Sequence, residues 1–134
     1  MTEKPFYASL TTIILMPMVV FVVNAFLIFF LGMTIIEEHR IDKILHILGG
    51  LSISFSAAGV LWNLIQRNLV TLQDKYVSVA LVFGFVCFTV ISWEILEYIV
   101  IDHKHLTYSD TVTDMICGLI GGLFAIPYIR RTMG

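Results

Sequence analysis

The chain has 134 residues, 58% hydrophobic and only 13% charged, about half the ~25% charged share of soluble domains. That balance excludes a disordered chain and an ordinary soluble core, and a formal net charge of −2 gives no reason to expect a nucleic-acid partner. What remains is a polytopic membrane protein. The first apolar run covers about Ala8 to Ile36 and meets no charge before Glu37, enough to cross a ~30 Å hydrocarbon core. It is longer than a signal h-region and no small-residue cleavage site follows it, so it is expected to stay as a span. Pro17 should bend it, and Asn24, its one strongly polar interior side chain, suits an interhelical hydrogen bond.

The link EEHRIDK, Glu37 to Lys43, leads to a second span from about Ile44 to Gln66. This span carries His46, Gly49, Gly50, Gly59 and three serines, Ser52, Ser54 and Ser56. Small residues of this kind let helix backbones approach closely in lipid, and Trp62 suits an interfacial belt. A polar link, Arg67 to Lys75, precedes a third span from about Tyr76 to Ile101, and a fourth runs from about Asp110 to Ile129, closed by Pro127 and the pair Arg130 and Arg131. Cys87 and Cys117 lie inside apolar runs without metal-finger spacing and read as packing residues. The expectation is an all-α membrane protein, a four-transmembrane-helix antiparallel bundle, forming a single integral domain over 1–134. Glycine-rich faces leave room for an oligomer.

An even number of spans puts both termini on one side. Lys4, Arg67, Lys75, Arg130 and Arg131 belong to that side, against Arg40, Lys43 and Lys104 on the other. Five basic residues against three favour cytoplasmic termini in a bacterial-type inner membrane.

With that topology, the ionisable groups of spans two to four gather at one face. Asp42 and His46 lie in the opening turns of span two, Glu94 and Glu97 near the end of span three, and Asp110 and Asp114 at the start of span four. Spacings of four, three and four residues place each pair on one side of its helix. The same ridges continue into Gly49 and Gly50 on span two and Gly118, Gly121 and Gly122 on span four. A polar pocket above packed glycines follows, at the face expected to lie outside. Asp42 and Asp110 also suit helix N-termini, where an acid stabilises the dipole, and Thr107 with Asp110 fits a capping box. His103 and His105 sit in the third link, where a solvated loop accounts for them better than ligand binding does. Glu94, Glu97, Asp114 and His46 lie a turn or more inside apolar runs, where ionised side chains are costly and mark function.

Carboxylates beside an imidazole can hold a divalent cation, and the nitrogen favours zinc, manganese or iron over magnesium or calcium, with zinc or manganese the expected ion. His46, Glu94 and Asp114 are the metal candidates, Glu94 and Asp114 the acid–base candidates, and Asp42, Glu97, Asp110, His103 and His105 the surrounding binding residues. HExxH, GxSxG and P-loop motifs are absent from the sequence.

These residues also carry a resemblance. The run DKILHILGG (Asp42 to Gly50), then WEILEY, then SDTVTDMICGLIGG, resembles the VanZ-like membrane proteins, especially the YjdF-type branch of small bacterial inner-membrane proteins. It spans about Asp42 to Gly122 and rests on Asp42, His46, Gly50, Glu94, Glu97, Asp110, Thr111, Asp114, Met115 and Gly121. The VanZ branch itself typically has Gln at the place of Glu97, Asn at that of Asp114, and Arg in the link that here reads HKH, so this pocket is more acidic. VanZ-like proteins are associated with resistance to glycopeptide antibiotics acting on lipid-linked cell-wall precursors. The resemblance therefore implies an envelope lipid or lipid-linked headgroup as the bound or modified partner. A metal-dependent membrane hydrolase or transferase, a proton-coupled small carrier and a structural subunit are the competing expectations.

Overall fold

The computed structural model describes residues 4–31, 41–72, 74–100 and 108–133. Four helices follow a short 3-10 turn at Phe6–Ala8: α1 (Leu10–Leu31), α2 (Ile41–Gln66), α3 (Lys75–Val100) and α4 (Tyr108–Thr132). All four are long and apolar enough to cross a membrane. The spans differ at their edges from the hydropathy reading. α2 begins at Ile41, so Asp42 and Lys43 are already helical, and α4 runs from Tyr108 to Thr132, past the expected end at Ile129.

Local chemistry sets two of the helix ends. The Tyr76 N–H donates to the Asp74 carboxylate at 2.7 Å just as α3 starts, a side-chain cap for an otherwise unpaired donor. α2 ends at Gln66, and the chain turns away at Asn68, whose φ is 56°. The Asn68 N–H reaches the Ile65 carbonyl and the Leu69 N–H the Leu64 carbonyl, both at 3.0 Å. This is a Schellman stop, with asparagine at the left-handed position it tolerates better than most residues.

α2 is the central helix. It packs on α4, α1 and α3, whereas among the described residues the α1 backbone approaches only α2 and the 3-10 turn. The α2–α4 seam depends on glycine. A Cβ at Gly50 would overlap the Gly118 carbonyl and one at Gly121 the Ile47 carbonyl, while Gly118 and Gly122 take the Val90 and Val86 side chains at 2.9 and 2.7 Å from a would-be Cβ. Ser54 donates across this seam to the Gly122 carbonyl at 3.2 Å. Gly49 departs from the expected ridge, because its open position meets only Val20, 4.0 Å away.

At one end of the bundle the 3-10 turn seals the core. Tyr7 is fully buried, its hydroxyl hydrogen-bonds Thr132 at 2.5 Å, and the Asn63 amide donates to the Ala8 carbonyl at 2.9 Å. Burial pushes the Tyr7 phenol above its usual range, so it stays neutral. Trp62, expected in an interfacial belt, packs into this cluster with Ala58, Ala125 and Ile129. The contact between Tyr7 and Thr132 places both chain ends at the same end of the bundle, as four alternating spans require.

Candidate functional site

The buried residues of α3 fall every fourth position: Ser78, Val82, Val86, Val90, Glu94. Glu94 is thus the last member of a core stripe and points inward, 5% exposed. On α4 the buried series Asp114, Gly118, Gly121 and Gly122, Ala125, Ile129 makes Asp114 the acidic head of the glycine seam. His46 lies one turn before Gly50 on the central helix, facing both. The structure therefore brings His46, Glu94 and Asp114 together from three helices, at the end of the bundle opposite Tyr7.

The imidazole stands between the two carboxylates. His46 Nδ1 is 3.6 Å from Glu94 Oε1, and His46 Nε2 is 3.8 Å from Asp114 Oδ1. Both separations are too long for hydrogen bonds. Glu94 Oε1 is buried without a hydrogen-bond partner, a costly state for a carboxylate in an apolar bundle. One donor atom from each of the three residues lies within 4.8 Å of the others, so the group can hold a metal ion. Two ligands about 2.0–2.2 Å from one cation stand roughly 3–3.6 Å apart, so adjustments of a few tenths of an ångström would bring either imidazole–carboxylate pair onto an ion. The two nitrogens face different carboxylates. One cation would take one of these nitrogens together with one oxygen from each carboxylate.

Lys43 is the residue that sequence reasoning undervalued. Placed in the first link by hydropathy, it is instead on the first turn of α2, with its ammonium 2.8 Å from Asp42 Oδ2, 2.5 Å from Asp110 Oδ1 and 2.7 Å from Asp114 Oδ1. An ammonium has three protons to donate, and three carboxylates receive them. Asp42 and Asp110 are thus ion-pair partners as well as acids of their helices' first turns. Asp114 Oδ1 faces both the ammonium and the imidazole. The other oxygen of Asp42, Oδ1, is buried with no hydrogen-bond partner. A lysine directly after Asp42 and four residues before Ile47 carries no periodic signal. Its role depends on α4 lying against α2.

Glu97 takes a different place. It lies outside the three residues that could share one ion and lines a cavity of about 280 Å³ between α1, α2 and α3, with Asp42, His46 and Trp93 around the same end. The Trp93 side chain lies beside its carboxylate. From there the cavity runs past Gly49, Ile53 and Val90, closed on the α1 side by Pro17, Val20 and Phe21. Asn24 lines this cavity; among the described residues it makes no interhelical hydrogen bond of the kind expected. His103 and His105, and the Thr107 half of the capping box, lie outside the described residues. Compared with protein-family models, curated proteins and solved structures, the chain matches none.

Proposed function

We propose that this membrane protein binds or modifies the headgroup of an envelope lipid or lipid-linked precursor at its acid/His end. A divalent cation, zinc or manganese, held by His46, Glu94 and Asp114 would assist it. The observation that carries this reading is the buried, unpartnered Glu94 oxygen facing an imidazole that also faces Asp114. A cation there would satisfy a carboxylate that hydrocarbon otherwise penalises. It would also make the site hospitable to phosphate, which Asp42, Glu97, Asp110 and Asp114 alone would repel; Lys43 adds one positive charge in the same place. Mixed imidazole and carboxylate donors favour zinc or manganese. The VanZ-like resemblance of the Asp42–Gly50, WEILEY and SDTVTD segments points to the same class of partner and belongs to this proposal.

A transmembrane proton carrier is less well supported. No Asp, Glu, Lys, Arg or His occurs from Gly50 to Gln66, from Tyr76 to Trp93 or from Met115 to Ile129, so these helices offer no ionisable relay through the other half of the bundle. The test is elemental analysis of freshly purified protein, before and after addition of zinc or manganese, beside Glu94→Gln and His46→Ala. About one ion per chain, lost in both variants while the bundle stays monodisperse, is the expected result. Protein that takes up no ion even when zinc or manganese is offered refutes the metal.

A further inference from the structure

We propose that the cavity between α1, α2 and α3 is the seat of one hydrocarbon chain of a membrane lipid, the tail of the molecule whose headgroup reaches the acid/His end. The inference rests on the headgroup reading and adds to it where the rest of that ligand goes.

The cavity is graded along its length. Asp42, His46, Glu97 and Asn24 stand at one end, and Pro17, Val20, Ile53 and Val90 line the remainder together with Ser52 and Thr89, whose hydroxyls donate to the Gly49 and Phe85 carbonyls of their own helices. The Phe21–Trp93 ring contact, 6.0 Å between centroids, fixes the register of α1 against α3. Asn24 is one turn beyond Phe21, and Glu97 one turn beyond Trp93, both toward the acid/His end. A polar head continuous with an apolar tail matches an amphiphile, and neither water nor a free ion would use the apolar part.

Size narrows the occupant. A volume of about 280 Å³ lies at the lower edge of the ~300–1,000 Å³ of small-molecule pockets, room for a segment of one chain but not for a whole lipid. Access comes from the side. The α1 backbone stays away from α3, and what bridges them here is the edge-to-face pair of Phe21 and Trp93, a side-chain closure that rotamer changes can open. The α1 residues facing the cavity, Pro17, Val20, Phe21 and Asn24, recur at helical spacing, so one face of α1 forms that wall. Gly49 completes the opposite wall. Its missing side chain leaves space rather than admitting another backbone, unlike Gly50 next to it.

That contrast supplies the test. Gly49→Leu would place a side chain in the cavity without touching the glycine seam, and Val20→Phe would fill it from α1. Full-length protein in detergent is offered phosphatidylglycerol with manganese and the bound lipid is counted by native mass spectrometry, with metal content measured in parallel. Both fillings should cut lipid retention at least tenfold while leaving the metal content unchanged, and His46→Ala should also cut retention. Wild-type retention in monodisperse Gly49→Leu and Val20→Phe protein overturns the tail seat. If His46→Ala alone lowers retention, the headgroup reading stands and the tail seat falls. If the fillings lower retention but His46→Ala does not, the seat stands and the headgroup reading falls. Wild-type protein that retains no phosphatidylglycerol and no co-purified lipid overturns both.

Discussion

At the scale of single residues, the site is a contest over Asp114. Its Oδ1 atom receives the Lys43 ammonium at 2.7 Å and faces His46 Nε2 at 3.8 Å. A cation drawn to the imidazole would therefore work against a positive charge already in place. Removing that charge has two expected consequences. Lys43→Met leaves Asp42, Asp110 and Asp114 mutually repelling, and should cost about 1–3 kcal/mol. That is less than the 3–5 kcal/mol typical of a broken, fully buried pair, because the Lys43 side chain keeps 18% exposure. The same change should raise manganese uptake, and manganese should restore part of the lost stability; a variant that is destabilised and unresponsive to manganese would show that Lys43 serves structure alone. Glu94→Gln keeps the shape of the buried side chain and removes the charge, so it should lose the ion without a comparable loss of stability.

At the scale of the helices, the close approach of α2 to α4 positions His46 against Asp114. Its two crossing points are Gly50 on the Gly118 carbonyl and Gly121 on the Ile47 carbonyl. Gly121→Ala forces a methyl group into backbone and should destabilise by about 1–3 kcal/mol. By spreading the seam it should also weaken metal retention, although residue 121 touches none of the ligands. Gly84→Ala is the control: nothing lies within 4 Å of its would-be Cβ, so the better helix former should be neutral or stabilising by up to about 1 kcal/mol. Unfolding in mixed micelles distinguishes the two; equal effects would mean that the seam is not tightly packed. On α3, the four-residue recurrence that buries Val82, Val86 and Val90 also carries Glu94 inward, so the carboxylate is oriented by the same packing that holds the bundle together.

At the scale of the whole molecule, the bundle has a sealed end and a charged end. Tyr7, Trp62 and Ile129 close the first, near Arg67, Lys75 and Arg130; His46, Glu94 and Asp114 occupy the second. Arg130 is fastened at its end by a 2.8 Å hydrogen bond to the Tyr76 hydroxyl and stacking over that ring. The excess of basic residues at the sealed end favours its placement in the cytoplasm, which would turn the acid/His end to the outer leaflet. Single cysteines at Thr71 and Tyr108, in a chain with Cys87 and Cys117 replaced by serine, should label from opposite sides of the membrane, with Tyr108 reactive from outside. External labelling at position 71 instead would invert the protein and move the proposed lipid to the cytoplasmic leaflet.

Helix number, alternation and the end of the bundle that collects the acids were legible in the chain itself. Uninterrupted apolar length determines a span, and spacings of three and four residues determine which side chains share a face, whatever the neighbours are. The grouping of His46 with Glu94 and Asp114 could be read that way because each is the polar member of an inward-facing series on its own helix. Rotation and pairing of the helices were not legible, since they follow from side-chain packing between segments distant in sequence. That packing gave Lys43 its three carboxylate partners, turned Trp62 from an interfacial position into the core, separated Gly50 in the seam from Gly49 beside a cavity, and set Glu97 on the wall of that cavity together with His46. Periodicity along one helix cannot specify which backbone lies opposite it; the tertiary structure settled this by bringing glycine against carbonyl at the α2–α4 crossing and leaving α1 apart from α3.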